Sequence, residues 1–196
     1  MSSRDSFLAK IRAAQPAPVD MPDVPLFATP DGDRIERFIA GLALYGGVAQ
    51  RVASTEAARE AIYAKFGENV ALCSVVDAIP GTRAIDRDTA PASLHDVEVA
   101  VVPARFGVAE TGSVFLSEVE YRVNSIGYLA QHLVIVLDER SIVDGLQDAY
   151  RRDDFNQVRY AALVTGPSAT ADIEGVLVRG AQGVRSLTIM LVGASA

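Results

Sequence analysis

Residues 165–183 read TGPSATADIEGVLVRGAQG, and this stretch predicts the fold of the second half of the chain. An apolar run over 160–164 precedes it and predicts a strand that ends in a Thr-Gly-Pro-Ser turn. Ile173, Val176 and Leu177 recur at helical spacing, so a helix is predicted after the turn. Main-chain N–H groups in such a turn are free at the carboxyl end of a strand, where α/β proteins usually bind ligands. We therefore expect one wall of a binding site here.

The remainder of the body alternates apolar runs with helical patterns. Such alternation favours a parallel sheet with right-handed crossovers, and uniformly apolar strands are covered on both faces. The sequence therefore predicts an α/β fold, a three-layer α/β/α sandwich with a mostly parallel sheet. The predicted strands are 48–52, 70–76, 97–103, 113–117, 132–137 and 187–192. The predicted helices are 33–45, 55–66 and 141–152.

The first 32 residues are predicted to stand apart from a single α/β domain over 33–196. Phe7, Leu8 and Ile11 lie on one face of a predicted helix over 3–14. Residues 15–30 are rich in proline, which is typical of an extended arm. Such an arm is either mobile or docks on a neighbouring subunit, and the sequence is compatible with a homo-oligomer.

Three motifs carry a family resemblance: TGPSATADIEGVLVRGAQGVR over 165–185, FGVAETGSVFL over 106–116, and QHLVIVL over 131–137. Together they resemble the lactate-utilisation protein C family, the LUD domain. The resemblance implies a fold like that of ribose-phosphate isomerases and coenzyme A transferases, where glycine-rich turns line the ligand site. It also implies a role in growth on lactate beside iron–sulfur oxidoreductase partners.

Composition excludes several classes of protein. A net charge of −7 provides no basic surface for nucleic acid. No stretch approaches the roughly 20 apolar residues that span a bilayer, and no signal-like segment begins the chain, so a cytoplasmic protein is expected. Cys73 is the single cysteine, whereas an iron–sulfur cluster needs about four protein ligands, and two histidines make no metal site. We expect no cofactor in this chain and iron–sulfur clusters in partner subunits.

Two residues are candidates for catalysis. Glu110, between Gly107 and Gly112, is either a general base, an acceptor for a ligand hydroxyl, or a solvated loop carboxylate. His132 begins a predicted strand and either binds a backbone carbonyl or acts as an acid or base near physiological pH.

The two glycine-bearing turns, 107–113 and 165–168, are expected to face each other across one cleft. Arg122 can hold a carboxylate, while Asp172 begins the predicted helix and disfavours a bare phosphate. A hydroxylated or amide-bearing ligand, or a basic patch on a protein partner, suits such a site. The candidate ligand-binding residues are Gly107, Thr111, Gly112, Arg122, Thr165, Gly166, Ser168, Thr170 and Asp172.

Two functions follow from these observations. The first, implied by the resemblance, is an accessory or ligand-binding subunit of an L-lactate oxidation system that acts with iron–sulfur oxidoreductase subunits. The alternative is a stand-alone enzyme or sensor for a small carboxylated or phosphorylated metabolite, such as an organic acid. Fold analogy alone does not separate them, because one fold hosts many activities.

Overall fold

Helices and strands alternate through the computed structural model, which describes residues 2–20, 22, 25–27 and 30–193. The helices are α1 (Ser3–Ala13), α2 (Arg34–Leu44), α3 (Thr55–Phe66), α4 (Glu118–Tyr121), α5 (Ile126–Leu129) and α6 (Leu146–Tyr150). The strands are β1 (Val48–Val52), β2 (Leu72–Ser74), β3 (Val99–Pro103), β4 (Gly107–Val108), β5 (Ser113–Ser117), β6 (His132–Asp138), β7 (Ile142–Val143), β8 (Ala161–Val164), β9 (Ala169–Thr170), β10 (Val178–Arg179) and β11 (Ser186–Val192). Positions 21, 23, 24, 28 and 29 of the predicted arm, and 194–196 of the predicted domain, lie outside the described residues.

A five-stranded parallel sheet in the order β1-β11-β6-β3-β2 lies at the centre of the molecule. On one face, Ala58 and Ile62 of α3 pack in a cluster with Val101 and Met190. On the other face, Phe38 of α2 belongs to a larger cluster that includes the remaining inward residues of β3, β6 and β11. Both faces are covered, so the predicted three-layer α/β/α sandwich is confirmed.

The first two strands of this sheet lie at its opposite edges. The order of strands places β11, β6 and β3 between β1 and β2, although α3 connects β1 and β2 in sequence. Local pattern indicates that two strands are parallel, but it does not indicate which strands will later be inserted between them.

A second sheet, in the order β7-β4-β5-β8, packs beyond the α2 face of the central sheet. β5 runs antiparallel to both β4 and β8, and β4 runs parallel to β7. Its outer face carries an aromatic cluster in which Phe115 packs on Phe106 and Phe155. The strand before the signature turn, β8, therefore belongs to this sheet and not to the parallel one.

Two predicted helices are wrong. The segment after the signature turn is a hairpin, in which β9 pairs antiparallel with β10. A turn from Ile173 to Val176 closes it, with Glu174 and Gly175 both at positive φ (56° and 69°). The helix predicted over 141–152 is replaced by β7, a turn and the short α6, because Gly145 interrupts the pattern with an extended backbone.

Candidate functional site

The two glycine-bearing turns contact each other directly. The Thr165 hydroxyl lies 3.2 Å from the carbonyl oxygens of both Thr111 and Gly112 and donates to them. Thr111 Oγ1 in turn shares a short hydrogen bond with Ser113 Oγ. Both threonine hydroxyls are therefore engaged with the protein itself, and a ligand would have to compete with these contacts.

The glycines of these turns pack against the end of α2. A Cβ added to Gly112, whose φ is +63°, would lie 2.0 Å from the Leu42 nitrogen. A Cβ on Gly166, whose φ is +66°, would lie 2.3 Å from the Tyr45 carbonyl oxygen. Glycine permits both the backbone conformation and the close approach. Here the backbone of both turns lies against the end of α2.

The side chain of Glu110, which belongs to the turn 107–113, borders a cavity of about 390 Å³. Its Oε2 accepts a hydrogen bond from the Leu146 N–H at 2.8 Å, so the carboxylate satisfies a free amide in the first turn of α6. Its own N–H donates to the Asp144 carbonyl at 3.0 Å. The cavity wall is apolar at Leu26, Phe27 and Leu146 and acidic at Glu110, Asp144 and Asp148.

Asp144 is neutralised by two arginines of α2. Arg34 binds it in a bidentate manner, with Nε 3.1 Å from Oδ1 and Nη2 2.6 Å from Oδ2. Arg37 makes a short ion pair with Oδ1. The hydrogen bonds from Arg34 chiefly hold the pKa of Asp144 below its ordinary value of 3.8. Within the described residues, no ion pair neutralises Glu110 or Asp148, so the cavity keeps a negative potential.

The third wall of the cavity comes from the N-terminal region. The side-chain amide of Gln147 accepts a hydrogen bond from the Phe27 N–H at 2.9 Å and donates one to the Pro25 carbonyl at 3.0 Å. One side chain thus pairs with both a backbone N–H and a backbone C=O of an extended segment, as a neighbouring strand does in a sheet. We call residues 25–27 the strap, and it lies across the N-terminus of α6.

His132 lies at the other end of the molecule. It is the first residue of β6, whereas Glu110 binds Asp144 beyond the last residue of that strand. The seven residues of β6 span about 20 Å at about 3.3 Å per residue, so the structure does not bring the two candidate catalytic residues together. His132 Nδ1 contacts Ser186 Oγ at 2.7 Å. Burial, followed by the charges of Lys65 and Arg185, lowers its pKa.

The other candidate residues are dispersed. Arg122 donates to the Ile85 carbonyl at 3.2 Å and lies 3.6 Å from Asp77. Gly107 is buried against Phe38, and a Cβ there would lie 2.9 Å from that ring. Neither residue shares the Glu110 cavity.

Three candidates of the signature belong to the hairpin and not to a helix. The Ser168 hydroxyl donates to the Gln182 carbonyl at 3.3 Å, and Thr170 Oγ1 accepts from the Asp172 N–H at 3.2 Å. Because a hairpin replaces the predicted helix, the expectation that Asp172 begins a helix is wrong. The hydroxyls of Ser168 and Thr170 stabilise turns of the backbone.

The hairpin exposes three large apolar side chains. Ile173, Val176 and Leu177 are 52%, 62% and 59% exposed. Its base meets the end of α2, because the Arg179 guanidinium lies against Gly46. We call Ile173, Val176 and Leu177 the hairpin apolar surface. Helical spacing predicts that these residues face a core, but they face solvent.

The described residues include no group of three or more His, Cys, Asp or Glu side chains placed to hold a metal ion. Cys73 is fully buried in β2, and burial raises the pKa of its thiol, which disfavours the reactive thiolate. In the same described part of the chain, no helix is both long enough and apolar enough to cross a bilayer.

Sequence reasoning missed Asp144, Gln147 and Phe27. The pair Asp144-Gly145 follows two apolar residues and is a turn signal, which argued against a helix through 141–152. Gln147 binds a segment that is 120 residues away in sequence, so no local pattern could have indicated its role.

Two of three comparisons match the chain to known proteins. A family described as LUD domain matches residues 35–192. The search of curated proteins finds no match. Among solved structures, a DUF162 family protein from Deinococcus radiodurans matches with a TM-score of 0.63 and 14% identity, over 82% of this chain and 96% of that one. At this identity the structural likeness establishes the fold alone.

Proposed function

Because this chain belongs to the LUD-domain family, we propose that it is an accessory subunit of a lactate-utilisation system that acts with iron–sulfur oxidoreductase partners. Its proposed contribution is a protein-binding surface, while the clusters belong to the partners. A cluster needs about four protein ligands, and the chain offers one buried thiol.

The observation that carries the proposal is the hairpin apolar surface. Ile173, Val176 and Leu177 are each more than half exposed on one short hairpin, and Tyr45, at the neighbouring end of α2, is 55% exposed. Contiguous exposed apolar groups are unfavourable in water and typically mark protein interfaces. The proposed partner covers this surface.

Affinity capture from cells grown on lactate tests the proposal. The wild-type protein is expected to retain cysteine-rich subunits with iron–sulfur absorbance. Val176→Asp should lose them, because burial of a charge at an interface is costly, while its unfolding midpoint stays unchanged. Val119→Asp is the matched control, since Val119 is 45% exposed but lies on α4. Equal capture by the wild-type protein and both variants would contradict a role for the hairpin, and capture of no such subunit would contradict the accessory function.

The Glu110 cavity favours a second candidate, a sensor or enzyme for a small metabolite. Its apolar wall and the carboxylates of Glu110 and Asp148, which no ion pair among the described residues neutralises, suit a neutral hydroxylated or amide-bearing molecule better than an organic anion. Calorimetry with lactamide and with lactate tests this, and lactamide is expected to bind more tightly. Glu110→Gln should retain lactamide binding, whereas Glu110→Ala should weaken it. Absence of binding for both probes would contradict this second candidate function and would not affect the accessory proposal.

A further inference from the structure

The two edge strands of the central sheet differ in whether other parts of the chain cover their backbone groups. At the β2 edge, the Arg83 N–H donates to the Leu72 carbonyl at 3.0 Å, and Thr82 Oγ1 accepts from the Leu72 N–H at 3.0 Å. Leu72 and Cys73 are also fully buried, in the clusters on the two faces of the sheet. This edge is covered, as native proteins usually cover an edge strand to prevent pairing with another chain.

The β1 edge is open. The Val52 carbonyl accepts from the Gly193 N–H at 3.1 Å, so the backbone groups of Val52 face β11, as do those of Gln50 two residues earlier. The N–H and C=O groups of Ala49 and Arg51 consequently face outward. Within the part of the chain that the structure describes, no backbone group hydrogen-bonds to them. The strand lacks proline and a bulge, two of the devices that prevent pairing, and its single charged side chain, Arg51, is paired with Glu139.

We propose that β1 pairs antiparallel with β1 of a second copy of this chain, about a two-fold axis at Gln50. Ala49 of each copy then lies opposite Arg51 of the other, and each such pair exchanges two backbone hydrogen bonds. Gln50 lies opposite Gln50 of the second copy in a pair without hydrogen bonds, where Cα atoms approach to about 4.5 Å. The two central sheets become one continuous sheet.

Charge and apolar contacts select this register. Centring the axis on Arg51 would place two guanidinium groups directly opposite each other, which is unfavourable across strands. In the proposed register the small Ala49 faces Arg51, whose charge is already paired with Glu139 at 3.1 Å. Val48, which is 55% exposed, gains Val52 of the second copy as a neighbour. The interface is self-complementary, as a two-fold dimer requires, and it does not depend on the proposed function.

Light scattering and cysteine cross-linking test the inference. The wild-type protein should elute at twice the mass of the 20.8 kDa chain. Gln50→Cys should form a disulfide-linked dimer on mild oxidation, because about 4.5 Å between Cα atoms lies within the range of a disulfide. Arg51→Cys should not, since it lies diagonally from its counterpart. Wild type is the background control because Cys73 is buried, and Val119→Cys controls for random collision.

Ala49→Pro removes an outward N–H and should yield a folded monomer; if this variant does not fold, the cross-linking pattern alone decides. A monomeric wild type in which Gln50→Cys cross-links no faster than Val119→Cys would overturn the proposal, even if the edge were found to bind a different protein. A dimer in which Arg51→Cys links and Gln50→Cys does not would overturn the register. A dimer that neither cysteine links would place the interface elsewhere and overturn the proposal as well.

Discussion

Gly112 shows at the scale of one residue how a missing side chain permits a close contact between elements. Its backbone lies against the Leu42 nitrogen, and Thr165 approaches its carbonyl oxygen from the other side. Any Cβ would separate α2 from the turn. The signature glycine Gly166 has the same role beside Tyr45. These glycines are therefore required for packing, whether or not a ligand binds near them.

Gly112→Ala is expected to destabilise the protein strongly. Both Gly112 and Gly175 have φ near +65° (63° and 69°), a conformation that costs a residue with a side chain about 1–2 kcal/mol. Gly175→Ala bears only this cost, because nothing lies within 4 Å of its added Cβ. Gly112→Ala adds an overpacking cost of about 1–3 kcal/mol against the Leu42 backbone. Urea unfolding of both variants measures the difference, and equal losses would show that α2 moves away without cost.

His132 is expected to make stability depend on pH. Burial and the neighbouring charges of Lys65 and Arg185 lower its pKa in the folded state, while Glu98 opposes them. The unfolded chain therefore binds the proton first, and the contribution of His132 is complete above its ordinary pKa of 6.5. This contribution is lost as the pH falls from there through the lowered folded pKa.

The variant His132→Asn isolates this contribution, because an amide can retain the bond to Ser186 without titrating. The free energy of unfolding of the wild type minus that of the variant should decrease as the pH falls below neutrality. A difference that stays constant with pH would mean that the histidine has the same pKa in both states.

At the scale of elements, those defined by local sequence features were predicted correctly, and those defined by distant contacts were not. β1, α3 and β5 have the predicted bounds, because local features define them; Ser54, for example, caps α3 through the Ala57 N–H at 3.2 Å. The signature hairpin was not predicted, because Ile173, Val176 and Leu177 have the spacing of one face of a helix. The pair Glu174-Gly175 closes the turn where Asn-Gly or Asp-Gly would have been recognised. Pairing of β5 with β8 is a distant contact that no local pattern contains.

The strap is an element whose position is expected to depend on one side chain. Gln147→Ala removes both hydrogen bonds to residues 25–27, so the Phe27 amide should lose its protection from hydrogen exchange. Global stability should change by less than about 0.5 kcal/mol, because the contact is exposed. Gln157→Ala is the control, since the Gln157 side chain donates to its neighbour Asp153 at 3.0 Å. Unchanged exchange at Phe27 would show that apolar contacts of Phe27 and Leu26 hold the strap without Gln147.

At the scale of the whole molecule, the layers and their apolar faces followed from sequence, whereas the site did not. Each uniformly apolar strand indicates burial on both faces, which is enough to predict a sandwich. Glu110 and His132 are both in elements predicted correctly as loop and strand, yet they lie at opposite ends of the central sheet. His132 begins β6, whereas Glu110 binds the chain beyond the other end of that strand, so the length of one strand separates them. The contact of Glu110 with residues 144 and 146 joins segments distant in sequence, which no local pattern contains.

Phe38 connects the two sheets, so they are expected to unfold cooperatively. Phe38 of α2 is fully buried, contacts Gly107 of the second sheet and belongs to the cluster that covers the central sheet. Phe38→Ala should cost about 3–5 kcal/mol, a large share of the roughly 5–15 kcal/mol typical of a domain, and unfolding should remain a single transition. Hydrogen exchange of β5 and β6 amides should accelerate by the same factor, because α2 joins both sheets. Phe155→Ala is the comparison, since Phe155 packs on the outer cluster of the second sheet. Selective loss of protection in β5, with β6 unaffected by Phe38→Ala, would show instead that the two sheets unfold separately.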